Sequence, residues 1–340
     1  MMLDCGKTAY PSHPIILTMN PDKLKDKFIG CMLGTHVGDA LGMPVEGYDW
    51  KTIEAKYGEL REMFDARMGV GTYTDDTEMM IGIAESLVEC EGFNGRDMAD
   101  RFVRLYNPER GYGGGTVRAL SLIKKGIDWN LAGERVFGGG SFGNGSSMRI
   151  APIGAFYYDK SDDLRKIAYE SSNITHAHPY GKEGAALQAF AVAKAINSDP
   201  SEELEKQSFV SDLITFVTEE SKLYKAKLKH VKELLECVSD KAEVINRLGN
   251  DSSAPNSVPT AIYSFISHNH DFEDSVSYAV SLGGDTDTIG AMTGAISGAY
   301  HGKSGMPESW LDVLENGERG RDYIEMLAEK LWKLKASRVD

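Results

Sequence analysis

The stretch GCMLGTHVGDALG, residues 30–42, decides the fold. Glycine returns at every fourth position, as Gly30, Gly34, Gly38 and Gly42. Just upstream, Asn20 and Pro21 supply an N-cap and a first-turn proline. Leu24, Phe28 and Met32 then repeat along one helical face. A glycine inside a helix costs about 1 kcal/mol relative to alanine, so four in succession need a reason. A flat ridge that admits another helix at very short range supplies one. A second ridge of the same period stands far downstream at Gly290, Gly294, Gly298 and Gly302. Both helices are therefore placed at the crowded centre of one bundle, whether or not they touch each other, and the two ends of the chain belong to one domain.

Between the ridges, helical spacing predicts helices near 74–90, 96–106, 114–125, 161–173, 182–197, 201–218, 220–238, 241–248, 257–267 and 273–282. A last one is read over 320–336, where Ile324, Leu327, Leu331 and Leu334 share a face. Alternating strand patterns are scarce, so the fold class is all-α. Residues 1–19 read as an irregular extension with a short strand at Pro14–Thr18, and 20–340 as a single compact orthogonal helical domain. The Lys- and Glu-rich segment 198–250 keeps helical spacing and is a solvated helical layer.

Charge and composition exclude several functions. A net charge of −14 argues against a nucleic-acid-binding surface. The four cysteines, Cys5, Cys31, Cys90 and Cys237, form no CxxC pair and read as free thiols of a reducing compartment. No secretory signal is visible. The longest uncharged apolar run, Thr288 to Tyr300, is shorter than the ~18 residues of a membrane span. A soluble intracellular protein is expected.

Three segments carry the chemistry. GDALGMPVE contains Asp39 and Glu46; Thr74-Asp75-Asp76-Thr77 and Gly283-Gly284-Asp285-Thr286-Asp287-Thr288 each place paired carboxylates and threonine at a helix start. Capping explains one carboxylate per helix, with Thr74 or Asp75 as cap and Glu78 closing a capping box. Two adjacent carboxylates cannot both cap. If the segments converge, their ligand set is all oxygen, which favours Mg²⁺, Ca²⁺ or Mn²⁺ over zinc. So many carboxylates exceed what one ion neutralises, and two are favoured. An EF-hand is excluded, because Ile289 and Ile296 stand where its fifth and twelfth oxygen ligands belong.

GGGSFGNG, residues 138–145, matches the spacing of a dinucleotide fingerprint but lacks the preceding strand and the surrounding βαβ unit. Its bare backbone N–H groups, from Gly140, Ser141, Gly143, Asn144 and Gly145, can still hold phosphate oxygens, and Phe142 offers a ring to a base. A flexible surface loop is the alternative. Arg110-Gly-Tyr-Gly113-Gly-Gly115 is a second loop of this kind. Of the histidines only His176 and His178 form a close pair, better suited to a pocket wall or the core than to zinc.

Taken together, GDALGMPVEG (38–47), YTDDTEMM (73–80), GSFGNGSSMRIAPI (140–153), THAHPYG (175–181) and SLGGDTDTIGAMTGAISGAYHG (281–302) resemble the ADP-ribosylglycohydrolase family. RGYGGG (110–115), LGN (248–250), SVPTAIYSF (257–265) and MPESW (306–310) are similar to its ADP-ribosylhydrolase 3 branch, which acts on serine-linked ADP-ribose. The resemblance implies a central dinuclear site holding two Mg²⁺ (Mn²⁺ in some relatives) on Glu46, Thr74, Asp75, Asp76, Asp285, Asp287 and Thr288, with Asp287 bridging. It also implies a diphosphate on 140–145, adenine on Phe142, and His176 and Ile262 lining the cleft. Glu46, and after it Asp76, are the acid/base candidates. The activity so implied is release of ADP-ribose from modified protein or peptide by a monomeric cytoplasmic enzyme. Its rivals are hydrolysis of ADP-ribosyl-arginine, O-acetyl-ADP-ribose or poly(ADP-ribose), and a silent ADP-ribose-binding or crystallin-like role.

Overall fold

The computed structural model describes residues 20–237 and 239–338. In chain order its helices are α1 (Pro21–Gly42), α2 (Trp50–Tyr57), α3 (Asp75–Glu89), α4 (Gly95–Leu105), α5 (Gly114–Lys124), α6 (Trp129–Ala132), α7 (Ala151–Phe156) and α8 (Ser161–Ser172). They continue with α9 (Pro179–Asn197), α10 (Lys206–Phe216), α11 (Lys222–Leu234), α12 (Lys241–Leu248), α13 (Ala254–Ser267), α14 (Phe272–Ser281), α15 (Thr286–His301), α16 (Glu308–Val313) and α17 (Arg321–Ala336). Among the described residues there is no strand, only two isolated bridges, Asp49 with Gly283 and Gly143 with Ser253. The expected strand at Pro14–Thr18 lies outside the described residues.

The two glycine ridges pack against each other. α1 and α15 run antiparallel, with Gly30 on Gly298, Gly34 on Gly294, Gly38 on Gly290 and Gly42 on Thr286. A Cβ added at any of these glycines would overlap a carbonyl of the opposite helix. The pair is enclosed: α1 is buried from Lys27 onward and α15 from Thr286 to Tyr300. α9 and α13 complete the inner layer, while α14 and α17 pack on the central pair from outside. On α17, Ile324, Leu327 and Leu331 are buried and Leu334 is partly so, the face read from its spacing.

The differences from the sequence reading have physical causes. α9 begins at Pro179 rather than 182, because the His178 side chain accepts from Tyr180 N and caps the helix. α13 begins at Ala254 rather than 257, with a proline in its first turn and a second, Pro259, inside it. The segments read as 201–218 and 220–238 contract to α10 and α11. α6, α7 and α16 are not foreseen, being too short for an apolar period to repeat, and α7 is in addition buried on every side; α2 is missed because it buries only Ile53 and so has no apolar face to read.

Placing leucine at Gly34 is expected to lower the unfolding free energy by about 3 kcal/mol or more, since neither backbone can retreat. Urea denaturation would measure it. Gly317→Ala, where an added Cβ meets nothing within 4 Å, serves as the control and should shift stability by less than about 0.5 kcal/mol.

Candidate active site

Antiparallel packing puts the C-terminal end of α1 beside the N-terminal end of α15, and Asp39 then draws in α3. Its buried carboxylate accepts from Thr74 N at 3.0 Å, Thr77 N at 3.1 Å and Thr77 Oγ1 at 2.6 Å. Asp39, named in the sequence motif without a role, is thus the brace that seats the start of α3. Thr74 caps that helix, accepting from Asp76 N at 3.3 Å. The capping box does not form. Glu78 instead accepts from Asn107 N at 3.1 Å and from the Tyr112 hydroxyl at 2.6 Å, tying α3 to the second glycine loop. Asp285 occupies the N-cap position of α15 but makes no capping bond, so capping does not explain its carboxylate.

The three acidic segments converge. Asp76 Oδ2 accepts from the Thr74 hydroxyl at 3.1 Å and the Thr288 hydroxyl at 3.4 Å. Its other oxygen, Oδ1, is buried without a partner. Carboxylate oxygens of Glu46, Asp285 and Asp287 lie within 4.8 Å of one another. Asp287 Oδ1 accepts from Thr288 N at 2.8 Å, and Asp285 Oδ2 from Asn144 Nδ2 at 2.5 Å. Glu46, its side chain 38% accessible, stands on a segment held by Gly47 N to Gly284 O and Gly284 N to Tyr48 O, both 2.8 Å. Gly283 and Gly284 have φ of 71° and 78°, and a side chain at Gly284 would run into the Asn250 carbonyl, so glycine is required there.

These carboxylates oppose one another's ionisation. Burial, then the charges of Asp39, Asp285 and Glu46, push Asp75 up to about 8. Burial and neighbouring carboxylates hold Asp76 and Asp287 well above the usual range. Asp39 is pushed up to about 6 by burial against the pull of its three donors. Arg67 offers partial relief, with its guanidinium 3.2 Å from Glu46 Oε2 and 3.8 Å from Asp287 Oδ2. Gly111, at φ +90°, makes room for it, since a Cβ there would lie 2.8 Å from the guanidinium. Nothing in the sequence signals Arg67, which sits in the irregular segment before α3. An oxygen-only donor set, an orphaned buried carboxylate oxygen and mutual repulsion fit hard divalent cations.

The glycine loop lies alongside. Its backbone is anchored by Asn144 N to Ser252 O at 2.9 Å and Ala254 N to Phe142 O at 3.0 Å. Gly143 N is taken by Ser141 Oγ at 3.1 Å. Gly143 and Asn144, read as phosphate donors, therefore spend their N–H groups inside the protein. Gly140, at φ +90°, packs directly on the backbone of His178. Phe142 projects its ring, 52% exposed, with its edge on His178 at 5.4 Å between centroids. His176 is buried against Gly145. Ile262 is enclosed in the core and presents no surface to a cleft. In the second loop Gly113 N-caps α5 and faces open space, whereas Gly115 packs on the Phe137 ring.

The described residues thus form an all-helical body whose acidic centre, gathered at helix ends, is tied to a glycine-rich loop by the Asn144–Asp285 hydrogen bond. The family model described as ADP-ribosylglycohydrolase matches residues 20–339, and the chain belongs to that family. ADP-ribosylhydrolase ARH3 of Homo sapiens is 35% identical over 350 aligned residues, covering 91% of this chain and 93% of the relative. An uncharacterized protein of Archaeoglobus fulgidus is 35% identical over 316 residues, 92% of this chain and 97% of its own length. A solved structure titled ADP-ribosylglycohydrolase-related protein complex superposes with a TM-score of 0.74 at 28% identity, over 92% of this chain and 99% of that one. The protein is an enzyme that hydrolyses ADP-ribose linkages. None of its described helices is long and apolar enough to cross a membrane.

The crowded carboxylates set a pH dependence. The folded-state pKa values of Asp39, Asp75, Asp76, Asp285 and Asp287 lie above the unfolded ones, so the native state binds more protons across the interval between them. The cation-free protein is expected to lose stability as pH rises from about 4 to about 8, the latter being the value for Asp75. Divalent cation should reverse that loss. Melting temperatures with EDTA and with Mg²⁺ across this range would check it: the Mg²⁺-dependent gain should grow toward pH 8.

Proposed function

We propose that the enzyme releases ADP-ribose from serine side chains of modified proteins or peptides, using two Mg²⁺ held by Glu46, Thr74, Asp75, Asp76, Asp285, Asp287 and Thr288. Mn²⁺ is the alternative metal. The observation that carries the reading is the meeting of these oxygen donors, from three distant segments, beside a loop joined to them by the Asn144–Asp285 hydrogen bond. Bound cations would fix the hydroxyls of the distal ribose and polarise oxygens at its anomeric carbon.

The chain's own groups divide the remaining work. Phe142 offers an exposed ring to the adenine, and the loop 140–145, through N–H groups other than those of Gly143 and Asn144, would face the diphosphate together with His176. Cleavage of an acetal passes through an oxocarbenium-like state, and a wall of carboxylates stabilises its positive charge. Glu46 is the acid/base: alone in the cluster it is substantially exposed, its side chain 38% accessible, within reach of a leaving hydroxyl. Asp76 is the second candidate, with one oxygen unpartnered.

Arg67 supports serine over arginine. A serine leaving group is neutral, whereas arginine-linked ADP-ribose brings a guanidinium to a mouth already flanked by one. Retention of the whole acidic set supports catalysis over a silent binding role. Free thiols at Cys31, Cys90 and Cys237 fit the reducing, intracellular setting we propose for a monomeric enzyme.

Asp287→Ala is expected to lower turnover by about 10²–10³-fold or more and to abolish Mg²⁺ binding in calorimetry. Near-normal turnover of that variant in EDTA would rule the metal reading out. On matched peptides, release from serine should exceed release from arginine, and the reverse order would assign the enzyme to arginine linkages.

A further inference from the structure

Behind the glycine loop, the hydrogen-bond partners of the fully buried Arg149 among the described residues are Met79 Sδ, Ser171 O and Thr175 Oγ1, and none is a carboxylate. Its guanidinium lies over the Phe102 ring, 4.6 Å from the centroid, and donates to Thr175 Oγ1 at 2.9 Å and Ser171 O at 3.4 Å. A buried, unpaired guanidinium is costly, and packing alone would be better served by an apolar side chain. Thr175 Oγ1 is in turn 2.8 Å from His176 Nδ1.

We propose that Arg149 and Thr175 act as positioning residues that fix His176 in the tautomer carrying its proton on Nε2, so that the ring donates to the phosphate oxygens of the ligand. The ligand part rests on the reading above that the loop 140–145 faces a diphosphate. The tautomer follows from donor counting. Arginine has only donors, so the Thr175 oxygen accepts from it. The hydroxyl proton then needs an acceptor, and the remaining hydrogen-bond neighbour of Thr175 Oγ1 is His176 Nδ1. Nδ1 therefore accepts. Burial, then the Arg149 charge, push the imidazole pKa down to about 3, so the ring is neutral and its single proton sits on Nε2.

Nε2 faces the loop. A Cβ added at Gly145 would lie 2.8 Å from it and one at Gly143 3.4 Å from it, so glycines are what let the ring approach the backbone. Among the described residues Nε2 has no hydrogen-bond partner, yet it is not fully enclosed and so keeps some contact with solvent beside the loop. The opposite tautomer would turn a lone pair toward the phosphate and strand the Thr175 proton.

Long-range ¹H–¹⁵N correlation spectra of histidine-labelled protein without ligand should show His176 Nε2 protonated and Nδ1 bare. Thr175→Val removes both ends of the relay and should mix the tautomers, weakening ADP-ribose binding by about tenfold in calorimetry with Mg²⁺. Thr175→Ser should restore both signals, which a purely packing role for Thr175 would not predict. Arg149→Lys, which still donates, should keep the tautomer. The wild-type spectrum needs no variant to fold. A wild-type His176 protonated on Nδ1 overturns the proposal even if ADP-ribose binds. The Nε2 tautomer without ADP-ribose binding would instead overturn the diphosphate reading and the donation built on it.

Discussion

Backbone-to-backbone contact between α1 and α15 is the constraint on which the molecule depends. Eight glycine positions, six of them paired glycine on glycine across the contact, let two helices approach until carbonyls fill the space side chains would take. Because the helices run antiparallel, the end of α1, which carries Asp39 and leads on to Glu46, meets the start of α15, which follows Asp285 and carries Asp287. Thr286 Oγ1 donates to Gly42 O at 2.8 Å across that junction. Asp39 then reaches outward and seats α3, so the third acidic segment arrives by way of the first. The active site is a by-product of the close approach: side chains that would have spaced the helices apart would have scattered the carboxylates too.

Electrostatics supplies the opposing pressure. Three buried aspartates and the half-buried Asp285 share one small volume with the partly exposed Glu46, and the raised pKa values of the aspartates record how poorly the fold alone tolerates their charge. Arg67 meets the cluster at the mouth, while the charge of Asp75 acts on Arg149 at the rear. Stability is surrendered locally and recovered by the apolar packing of α1, α9, α13 and α15. This division is characteristic of enzymes, where a site is strained and its scaffold is not.

Much of the fold was legible because its longest elements carry strong periodic signals. The glycine ridges marked α1 and α15, and the face of α17 was plain from four apolar residues. Their direct contact was not legible, since a flat ridge announces a close partner without naming it. The short helices escaped for want of length. At the site, acidic residues at two helix starts could be read as caps or ligands, and only spatial convergence separates the readings. Glu78 looked like part of a cap and serves as a strut to Tyr112. Ile262 looked like a cleft wall and lies in the core. Arg67, Arg149 and the brace made by Asp39 depend on contacts between segments far apart in the chain, which spacing along one segment cannot reveal.

A four-residue glycine repeat fits its partner equally well after sliding by one period, a displacement of about 6 Å along the axis. The ridges fix distance and leave longitudinal position ambiguous. The ambiguity is removed at the two extremities: Asp26 receives Ser304 N at 3.2 Å and Ser304 Oγ at 2.6 Å, and Thr286 hooks the Gly42 carbonyl at the other extremity. These polar end-stops set the alignment of catalytic groups from opposite helices, so a modest surface contact around Asp26, remote from any chemistry, helps to hold the vernier of the active centre.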